Sequence, residues 1–301
     1  MGISYEVLKL FFKRLGTREM FGSKGDELVH EIKRVRKGIN SEPNEKIKHM
    51  FDLQVRDYKG YPYYYMSPKV KHSDKYILYT HGGGCVLDIT QTHWKQLSNF
   101  LEKTGATAVI PRYPLAPEHN CLETMEMLEV IYREMLETIL PEKIIFAGDS
   151  AGGGISLSFA QYCKAKNIMQ PKRLVLLSPM LSLADAEKED YNLIREIEKR
   201  DFLLAYDAFP EIGKWWAGPI KDRKNYMVSP LYGDIKGLAK TYIYGSKEDV
   251  LYPYVRHLKK RSEEDRVDIE YHIKKDFCHC YMFLNIKEGK ETVEEIVELF
   301  Q

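Results

Sequence analysis

The sequence has little that would suit a membrane-spanning or a disulfide-stabilised protein. No run approaches the roughly 20 apolar residues that cross a bilayer, and the longest clean run, Leu174 to Leu177, has the length of a strand. The cysteines are odd in number and follow no framework spacing: Cys85, Cys121, Cys163, Cys278 and Cys280. These absences predict a soluble protein in a reducing compartment, and the cytoplasm is the simplest assignment.

An excess of charge of either sign is also missing. The 45 Lys and Arg residues balance 44 Asp and Glu residues, so no global field attracts nucleic acid or an anionic membrane surface. Residues 1–20 carry basic side chains among their apolar ones and lack the uninterrupted apolar centre of a signal peptide. Glu6 stands where a myristoylation motif has Ser or Thr. A small or neutral partner fits this composition best.

From about residue 52 onward, the sequence alternates between short apolar runs and amphipathic stretches. Runs that are apolar on both faces, as buried parallel strands are, occur at 76–79, 106–110, 144–147, 174–177 and 242–244, with a further strand candidate at 267–273. Helical stretches occur at 122–140, 155–164, 252–261 and 291–300. The alternation predicts an α/β fold, with a mostly parallel sheet and helices on both faces.

Residues 1 to about 45 and about 184 to 224 do not fit this alternation. The first segment is polar and helix-like, and the second contains Trp215 and Trp216. Insertions of this kind usually lie over the carboxyl ends of the strands, where α/β ligands bind. We therefore expect N-terminal cap helices in 1–45 and a cap insertion at about 184–224, within a catalytic domain that covers 46–301. The alternative is that both segments are ordinary surface helices.

The strongest local signal is a G-x-S-x-G motif, Gly148-Asp149-Ser150-Ala151-Gly152, which stands directly between a strand candidate and a helical stretch. A nucleophilic serine on such a sharp turn needs small neighbours, because strand and helix approach each other closely. The bare motif is common by chance, so its position carries the argument. It predicts Ser150 as a nucleophile, and the alternative is a glycine-rich turn with an incidental serine.

A second glycine run, His81-Gly82-Gly83-Gly84, follows the strand candidate at 76–79. Attack on an ester carbonyl leaves a full negative charge on its oxygen, and backbone N–H groups of a side-chain-free loop can surround that oxygen. We expect an oxyanion hole formed by the glycines Gly82, Gly83 and Gly84 together with the N–H of Ala151. His81 is expected to support this loop from beneath rather than to act as a base.

A serine nucleophile needs a histidine to take its proton and a carboxylate to orient that histidine. On a sheet of this kind the order along the chain is Ser, then Asp or Glu, then His. Asp249 follows the 242–244 strand and is preferred over its neighbour Glu248 as the acid. His279 follows the last strand candidate, whereas His272 lies inside it. His279 is therefore the predicted base.

Cysteines flank the predicted base, in the order Cys278-His279-Cys280. Three adjacent residues cannot easily wrap one zinc ion, and no second Cys/His pair follows them. We therefore expect no metal at this position.

Taken together, these motifs resemble those of the hormone-sensitive-lipase-like carboxylesterases, the bacterial group IV enzymes of the α/β-hydrolase superfamily. The resemblance spans roughly residues 76–283 and rests on His81 to Gly84, Tyr113 to Glu118, Gly148 to Gly153, Asp249 to Leu251, and His279. It implies an eight-stranded α/β-hydrolase sheet, a helical cap, no cofactor, and a buried Glu118 that supports the active-site loops. Asp149 is expected to support the site as well.

Three positions depart from the family pattern. Pro114 stands where the family usually has Arg, which removes a charge pair with the supporting carboxylate. Cys280 stands where the family usually has Gly, and Cys85 where it often has an aromatic residue. We expect Cys85, together with Trp215 and Trp216, to shape the substrate pocket.

The expected activity is that of a serine carboxylesterase that hydrolyses short-chain, acetyl-type esters through an acyl-enzyme. The short chain is expected because the family's cap usually closes the pocket. One alternative is a non-catalytic small-ligand receptor, since plant gibberellin receptors resemble this family but lack its catalytic histidine. Another is hydrolysis of amides or carbamates by the same residues. The oligomeric state stays open, a homodimer included.

Overall fold

The computed structural model describes residues 16–300, and its centre is a mostly parallel eight-stranded sheet. This confirms the predicted α/β-hydrolase sheet. The strands are β1 (Phe51–Tyr58), β2 (Tyr61–Pro68), β3 (Tyr76–Thr80), β4 (Thr107–Pro111), β5 (Ile144–Asp149), β6 (Arg173–Leu177), β7 (Lys240–Ser246) and β8 (Ile269–Lys274).

The sheet has the strand order β1-β2-β4-β3-β5-β6-β7-β8. Strand β1 pairs antiparallel with β2, and β2 pairs antiparallel with β4, while all further pairs are parallel. The β1–β2 hairpin turns at Lys59 and Gly60, whose φ angles of 51° and 90° match the twist of paired strands. This hairpin extends the sheet beyond the strand candidates that apolar runs indicate.

Ten α-helices surround the sheet in the described part of the chain. They are α1 (Thr17–Gly22), α2 (Gly25–Lys37), α3 (Glu45–Met50), α4 (Gln91–Thr104), α5 (Cys121–Leu136), α6 (Ala151–Ala165), α7 (Lys188–Glu198), α8 (Phe209–Ala217), α9 (Tyr252–Asp265) and α10 (Lys287–Glu298). None of the helices within 16–300 is long and apolar enough to cross a membrane.

Helix α5 illustrates how the sequence sets the ends of a helix. Asn120 caps its first turn, and the side chain of Glu123 accepts a hydrogen bond from the N–H of Asn120, a reciprocal cap that satisfies otherwise unpaired donors. The helix ends at Leu136, before the predicted end at residue 140. The chain tightens there because the N–H of Thr138 bonds the carbonyl of Met135, as is common in a last helical turn.

The core consists of two apolar layers, one on each face of the sheet. Phe146 of β5 packs into the layer that contains α5 and α6, whereas its neighbours Ile145 and Ala147 pack into the layer that contains α4 and α10. Alternate residues of a strand point to opposite faces, so a run that is apolar throughout belongs to a strand covered on both sides.

Two sequence-distant segments contact each other outside these layers. The Arg18 guanidinium of α1 donates to the carbonyl oxygens of Asp201 and Leu204, and the N–H of Ala208 donates to the carbonyl of Phe21. Phe21 also packs edge-on against Phe209 of α8 at a centroid distance of 5.7 Å. The N-terminal helices are thus attached to the 184–224 insertion. The part of the predicted cap before residue 16 lies outside the described residues.

Candidate active site

Ser150 occupies a strained turn between β5 and α6. Its φ of 52° and ψ of −121° lie where a non-glycine residue is held only by its surroundings. Those surroundings are hydrogen bonds of the Ser150 main chain, whose N–H donates to Leu177 and whose carbonyl accepts from Met180, each at 2.8 Å. The turn is therefore fixed to the end of the neighbouring strand β6.

Glycine is required where α6 approaches β3. A Cβ atom on Gly152 would lie 1.9 Å from the carbonyl oxygen of Thr80, and one on Gly148 would lie 2.5 Å from the backbone of Gly152. Both distances are far below a van der Waals contact, so the G-x-S-x-G spacing brings strand and helix together as its small residues require.

Asp249 and His279 form a hydrogen-bonded pair at the carboxyl end of the sheet. Asp249 follows β7, and its Oδ2 lies 2.8 Å from Nδ1 of His279, both side chains being buried. A carboxylate can only accept, so Nδ1 carries the proton and Nε2 is left as a base. Glu248, the other acid candidate, instead pairs with Arg200 at 2.6 Å.

The Asp249 carboxylate sets the charge preference of His279. Burial disfavours the charged imidazole, but the adjacent carboxylate outweighs burial and raises the pKa of His279 well above its ordinary value. A base with a raised pKa takes a proton more readily, and it stays protonated, hence inactive, to a higher pH.

The loop that carries His279 is anchored beside the serine turn. The N–H of Cys280 donates to Oγ of Ser178 at 3.1 Å, and Ser178 directly follows β6, to which Ser150 is also tied. Among the described residues the Ser150 hydroxyl makes no hydrogen bond to His279. In unliganded enzymes such bonds are often long and tighten when substrate binds.

The glycine loop after β3 lies against the serine turn, since a Cβ on Gly82 would be 3.1 Å from Cβ of Ser150. The N–H of Gly82, however, donates to Oδ1 of Asp149 at 3.0 Å. Gly82 is therefore wrong as an oxyanion donor, because its only N–H is already used to hold the loop. In residues 16–300 the N–H groups of Gly83 and Gly84 have no such partner, and the N–H of Ala151 opens α6.

Asp149 is the centre of a buried network that supports this loop. Its carboxylate also accepts from the Tyr79 hydroxyl at 2.5 Å and lies 3.3 Å from Nε2 of His93. Burial opposes ionisation, yet His93 and these donors lower the pKa of Asp149. Neither Tyr79 nor His93 was predicted from the sequence to belong to the site. A sequence signal was available for His93. It lies three residues after Thr90, and its Nδ1 accepts from the Thr90 N–H.

His81 lies fully buried beneath the loop. Its Nδ1 donates to the carbonyl of Gly82 at 2.7 Å, and its ring stacks on Tyr113 at a centroid distance of 4.4 Å. Burial lowers the pKa of His81 to about 4. The imidazole is thus neutral at physiological pH and fixed in one tautomer.

Glu118 is not buried, which corrects the expectation from the family resemblance. Half of its side chain is exposed, and both carboxylate oxygens accept from Arg36 of α2 at 2.9 Å. The charge pair that Pro114 removes is therefore supplied by an arginine from the N-terminal helices. Sequence reasoning missed Arg36 because it lies 82 residues from its partner.

Arg36 also fixes the segments on either side of this ion pair. Its Nε donates to the carbonyl of Val86 at 2.7 Å, and its third nitrogen donates to the carbonyl of Ala116 at 2.5 Å. Val86 follows Gly84 by two residues, so one planar guanidinium ties the end of the glycine loop to the Glu118 segment.

A small cavity, with about 210 Å³ of empty space that includes open solvent, lies next to Ala151. It is lined by Cys85, Ala151, Gly154, Ile155, Ser158, Met180, Leu183, Trp216, Met227, Val228 and Pro230. Trp215 is not among the lining residues, which corrects its assignment to the pocket. Adjacent helix residues point about 100° apart, so only Trp216 of the pair faces the cavity.

No group of three or more His, Cys, Asp or Glu side chains within 16–300 is placed to hold a metal ion. Around the predicted base, Nδ1 of His279 is bonded to Asp249, and neither Cys278 nor Cys280 forms a disulfide.

Comparison with known proteins places this geometry in a family. A family model described as α/β hydrolase fold matches residues 77–283. An esterase of Acinetobacter venetianus is 26% identical over 74% of this chain and 73% of its own length. An acetyl-hydrolase of Streptomyces hygroscopicus is 26% identical over 72% of each chain.

The solved structures agree with these sequence comparisons. The structure of a hormone-sensitive lipase from a metagenome library superimposes with a TM-score of 0.82 and 25% identity, over 100% of this chain and 98% of that one. The chain belongs to the α/β hydrolase fold family, and within it to the hormone-sensitive-lipase-like esterases.

Proposed function

We propose that the protein is a serine carboxylesterase in which Ser150 is the nucleophile, His279 the base and Asp249 the acid. The observation that carries the proposal is the buried Asp249–His279 hydrogen bond, which leaves Nε2 of the imidazole as an acceptor. The Asp249–His279 pair lies at the carboxyl end of the sheet, as does the strained Ser150 turn. The esterase and acetyl-hydrolase relatives support the same reaction class.

The reaction has two stages. In the first stage the Ser150 oxygen bonds to the ester carbonyl carbon while its proton passes to Nε2 of His279, and the carbonyl oxygen becomes an oxyanion. The N–H groups of Gly83, Gly84 and Ala151 are the proposed donors to that oxyanion. The tetrahedral intermediate then expels the alcohol, which receives the proton from His279.

The second stage releases the acid. Water gives a proton to His279 and bonds to the acyl carbon; the resulting intermediate then breaks its bond to the Ser150 oxygen, which keeps the electron pair and takes the proton back from His279 as the acid leaves. Loss of one oxyanion donor typically costs about 2.7–4 kcal/mol of transition-state stabilisation, so the placement of the glycine loop is as important as the triad.

We propose that the cavity beside Ala151 receives the acyl chain and restricts it to short chains. Trp216 and Met180, which are both buried, line this cavity together with Cys85. A small pocket lined mainly by apolar side chains favours a short hydrocarbon and rejects one that is longer than its depth. The name of the Streptomyces relative, an acetyl-hydrolase, supports this size class.

A rival proposal is a ligand receptor on the same scaffold. The Asp249–His279 pair and the strained serine favour an enzyme, because a receptor needs neither a basic imidazole nor an activated hydroxyl. An organophosphate that phosphorylates Ser150 separates the two, since only an activated serine forms the covalent adduct. Amide hydrolysis is tested by comparing rates on matched ester and anilide substrates.

The decisive experiment compares the native protein with Ser150→Ala and with Ser98→Ala on p-nitrophenyl acetate, butyrate, octanoate and laurate. Ser98 is a buried serine of α4 whose hydroxyl bonds a helix carbonyl, so its loss is a matched control. We expect Ser150→Ala to lower kcat roughly 10⁴-fold or more and Ser98→Ala to keep activity. Activity that survives in Ser150→Ala contradicts the mechanism, and a preference for laurate contradicts the short pocket.

The location we propose is a compartment in which thiols stay reduced, such as the cytoplasm. None of the five cysteines forms a disulfide, and four of them are buried. Persistent disulfides belong to oxidising compartments, so reduced cysteines support this assignment.

A further inference from the structure

Asp201 is a buried carboxylate that the proposed reaction does not use. It lies in the 184–224 insertion between α7 and α8, and only 3% of its surface is exposed. Its main chain is held at both ends, because its N–H donates to the carbonyl of Ile197 and its carbonyl accepts from Arg18 at 2.5 Å. A buried charge is costly unless hydrogen bonds compensate it, so its partners are informative.

The partners of Asp201 connect the insertion to the triad acid. Oδ1 accepts from the N–H groups of Leu203 and Leu204 at 2.8 and 2.9 Å, within the insertion. Oδ2 accepts from the N–H of Val250 at 3.1 Å. Val250 directly follows Asp249, so Asp201 holds the backbone that carries the acid.

A second contact holds the same backbone from the other side. Arg200, the residue before Asp201, pairs through two nitrogens with the carboxylate of Glu248 at 2.6 and 3.2 Å. Arg200 and Asp201 therefore bind the residues immediately before and after Asp249. Asp249 itself accepts from the N–H of Leu251 at 2.9 Å, which leaves its other oxygen for His279.

Asp201 affects the triad through its charge as well as through its hydrogen bonds. Burial raises the pKa of Asp201 to about 6, the negative charge of Asp249 adds to this, and its three backbone donors act in the opposite direction. Because the pKa of His279 lies well above its ordinary value, Asp201 is ionised over the range in which His279 titrates.

Few other charges face this carboxylate. Arg18 of α1 binds carbonyl oxygens around it rather than the carboxylate. Glu198 of α7 accepts from Arg195 and from a backbone N–H. The Arg200–Glu248 pair is neutral as a unit. Among the described residues, Asp249 is thus the ionisable group that senses Asp201 most directly, and His279 is joined to it through the Asp249 carboxylate.

We propose that Asp201 is a positioning residue of the esterase site, which fixes the turn bearing Asp249 and adds negative charge beside the Asp249–His279 pair. The inference rests on the proposed function, since it assigns a second carboxylate to the same base. A second negative charge stabilises the imidazolium that forms when Ser150 is deprotonated. A purely structural residue would hold the turn without changing the proton affinity of His279.

The first test measures the pH dependence of kcat/KM for p-nitrophenyl acetate in Asp201→Asn, Asp201→Glu and the native protein. Asparagine keeps the size and one carbonyl acceptor but removes the charge. We expect kcat/KM to fall roughly 10- to 100-fold and the acid limb of the profile to move to lower pH, because His279 loses a stabilising charge. Asp201→Glu retains the charge, so its limb stays near the native position even if misplacement lowers its rate.

Asp207→Asn is the matched control for this experiment. Asp207 lies in the same insertion but pairs with Lys24 and Arg195, away from the triad. We expect the kcat/KM of Asp207→Asn to fall on the acid side at the same pH as that of the native protein. If Asp201→Asn lowers the rate but leaves the limb where it is, Asp201 is only a structural residue and the inference is overturned.

A second test does not depend on esterase activity. The ring signals of His279 are titrated by NMR in Ser150→Ala and in Ser150→Ala combined with Asp201→Asn. We expect the double variant to lose its imidazole proton at lower pH. Equal titrations refute the inference even if the native protein proves to be an esterase, whereas a shift sustains it even if the native protein hydrolyses no ester.

Discussion

Two histidines of this site show how the environment assigns opposite roles to one residue type. His81 is buried against Tyr113 and donates to a carbonyl, and burial lowers its pKa to about 4. His279 is buried beside a carboxylate, which raises its pKa. A carbonyl accepts a hydrogen bond without supplying a negative charge, whereas a carboxylate stabilises the imidazolium. Only the second histidine is suited to proton transfer.

The raised pKa of His279 predicts the pH dependence of the reaction. The base must be neutral to accept the proton of Ser150, so kcat/KM should fall as the pH drops through the pKa of His279. Because that pKa is raised, the fall should begin above the ordinary histidine range of about 6.5. Initial rates on p-nitrophenyl acetate, corrected for spontaneous hydrolysis, measure the profile. A rate that is constant down to pH 5 contradicts the assignment of His279.

The hydrogen bonds of Arg36 allow a prediction about the glycine loop. Arg36→Met removes the donors to Val86, Ala116 and Glu118 while keeping an apolar stem of similar length, so the glycine loop should lose its fixed position. We expect kcat for p-nitrophenyl acetate to fall up to about 100-fold. Arg34→Met is the control, because Arg34 lies on the same helix but, within residues 16–300, its hydrogen bonds go to Glu31. Equal losses in the two variants would mean a general effect on α2.

Individual residues were predictable where a motif and a strand end coincide, and not where a partner comes from a distant segment. Asp249 and His279 each follow a parallel strand, so both lie at the carboxyl end of the sheet. Arg36 and Asp201 approach the site from the N-terminal helices and the insertion, and no local spacing marks them. The structure alone joins them to residues 82 and 49 positions away.

At the scale of elements, the close approach of α6 to β3 makes Gly152 sensitive to the smallest change. The Cβ of alanine would lie 1.9 Å from the carbonyl oxygen of Thr80, and neither backbone can yield without moving the Ser150 turn. We expect Gly152→Ala to lower the free energy of unfolding by about 3 kcal/mol and to impair activity. Urea unfolding measures the stability.

Gly38→Ala is the matched control for this substitution. Gly38 has an ordinary φ of −89°, and its added Cβ would lie 3.5 Å from the nearest atom, an ordinary contact. Its free energy of unfolding should change little. Native stability in Gly152→Ala contradicts the proposed packing.

The central strands were predicted more readily than the sheet edge. Runs such as the one in β5 are apolar at every position because both faces are covered, so composition alone reveals them. Strand β1 is exposed at most of its positions, and its apolar residues alternate with polar ones instead of forming a run. Its position in the sheet follows instead from the Lys59–Gly60 turn, a short-range signal that the apolar pattern does not contain.

At the scale of the whole molecule, the near balance of charges predicts a weak response to salt. The formal net charge is +1, so no long-range field draws in or repels a neutral ester. We expect kcat/KM for p-nitrophenyl acetate to change less than about twofold between low and high sodium chloride, since salt screens only charged encounters. A steep fall with salt would contradict this expectation and would indicate that screened ion pairs support the active site.

The attachment of α1 to the 184–224 insertion has a consequence for biosynthesis. Arg18 and the carbonyl of Asp201 are 183 residues apart, and a ribosome adds roughly 5–20 residues per second. The arginine therefore leaves the exit tunnel roughly 10 to 40 s before its acceptor does. During that interval α1 cannot make its contacts with the 184–224 insertion, so this attachment forms late in the folding of the nascent chain.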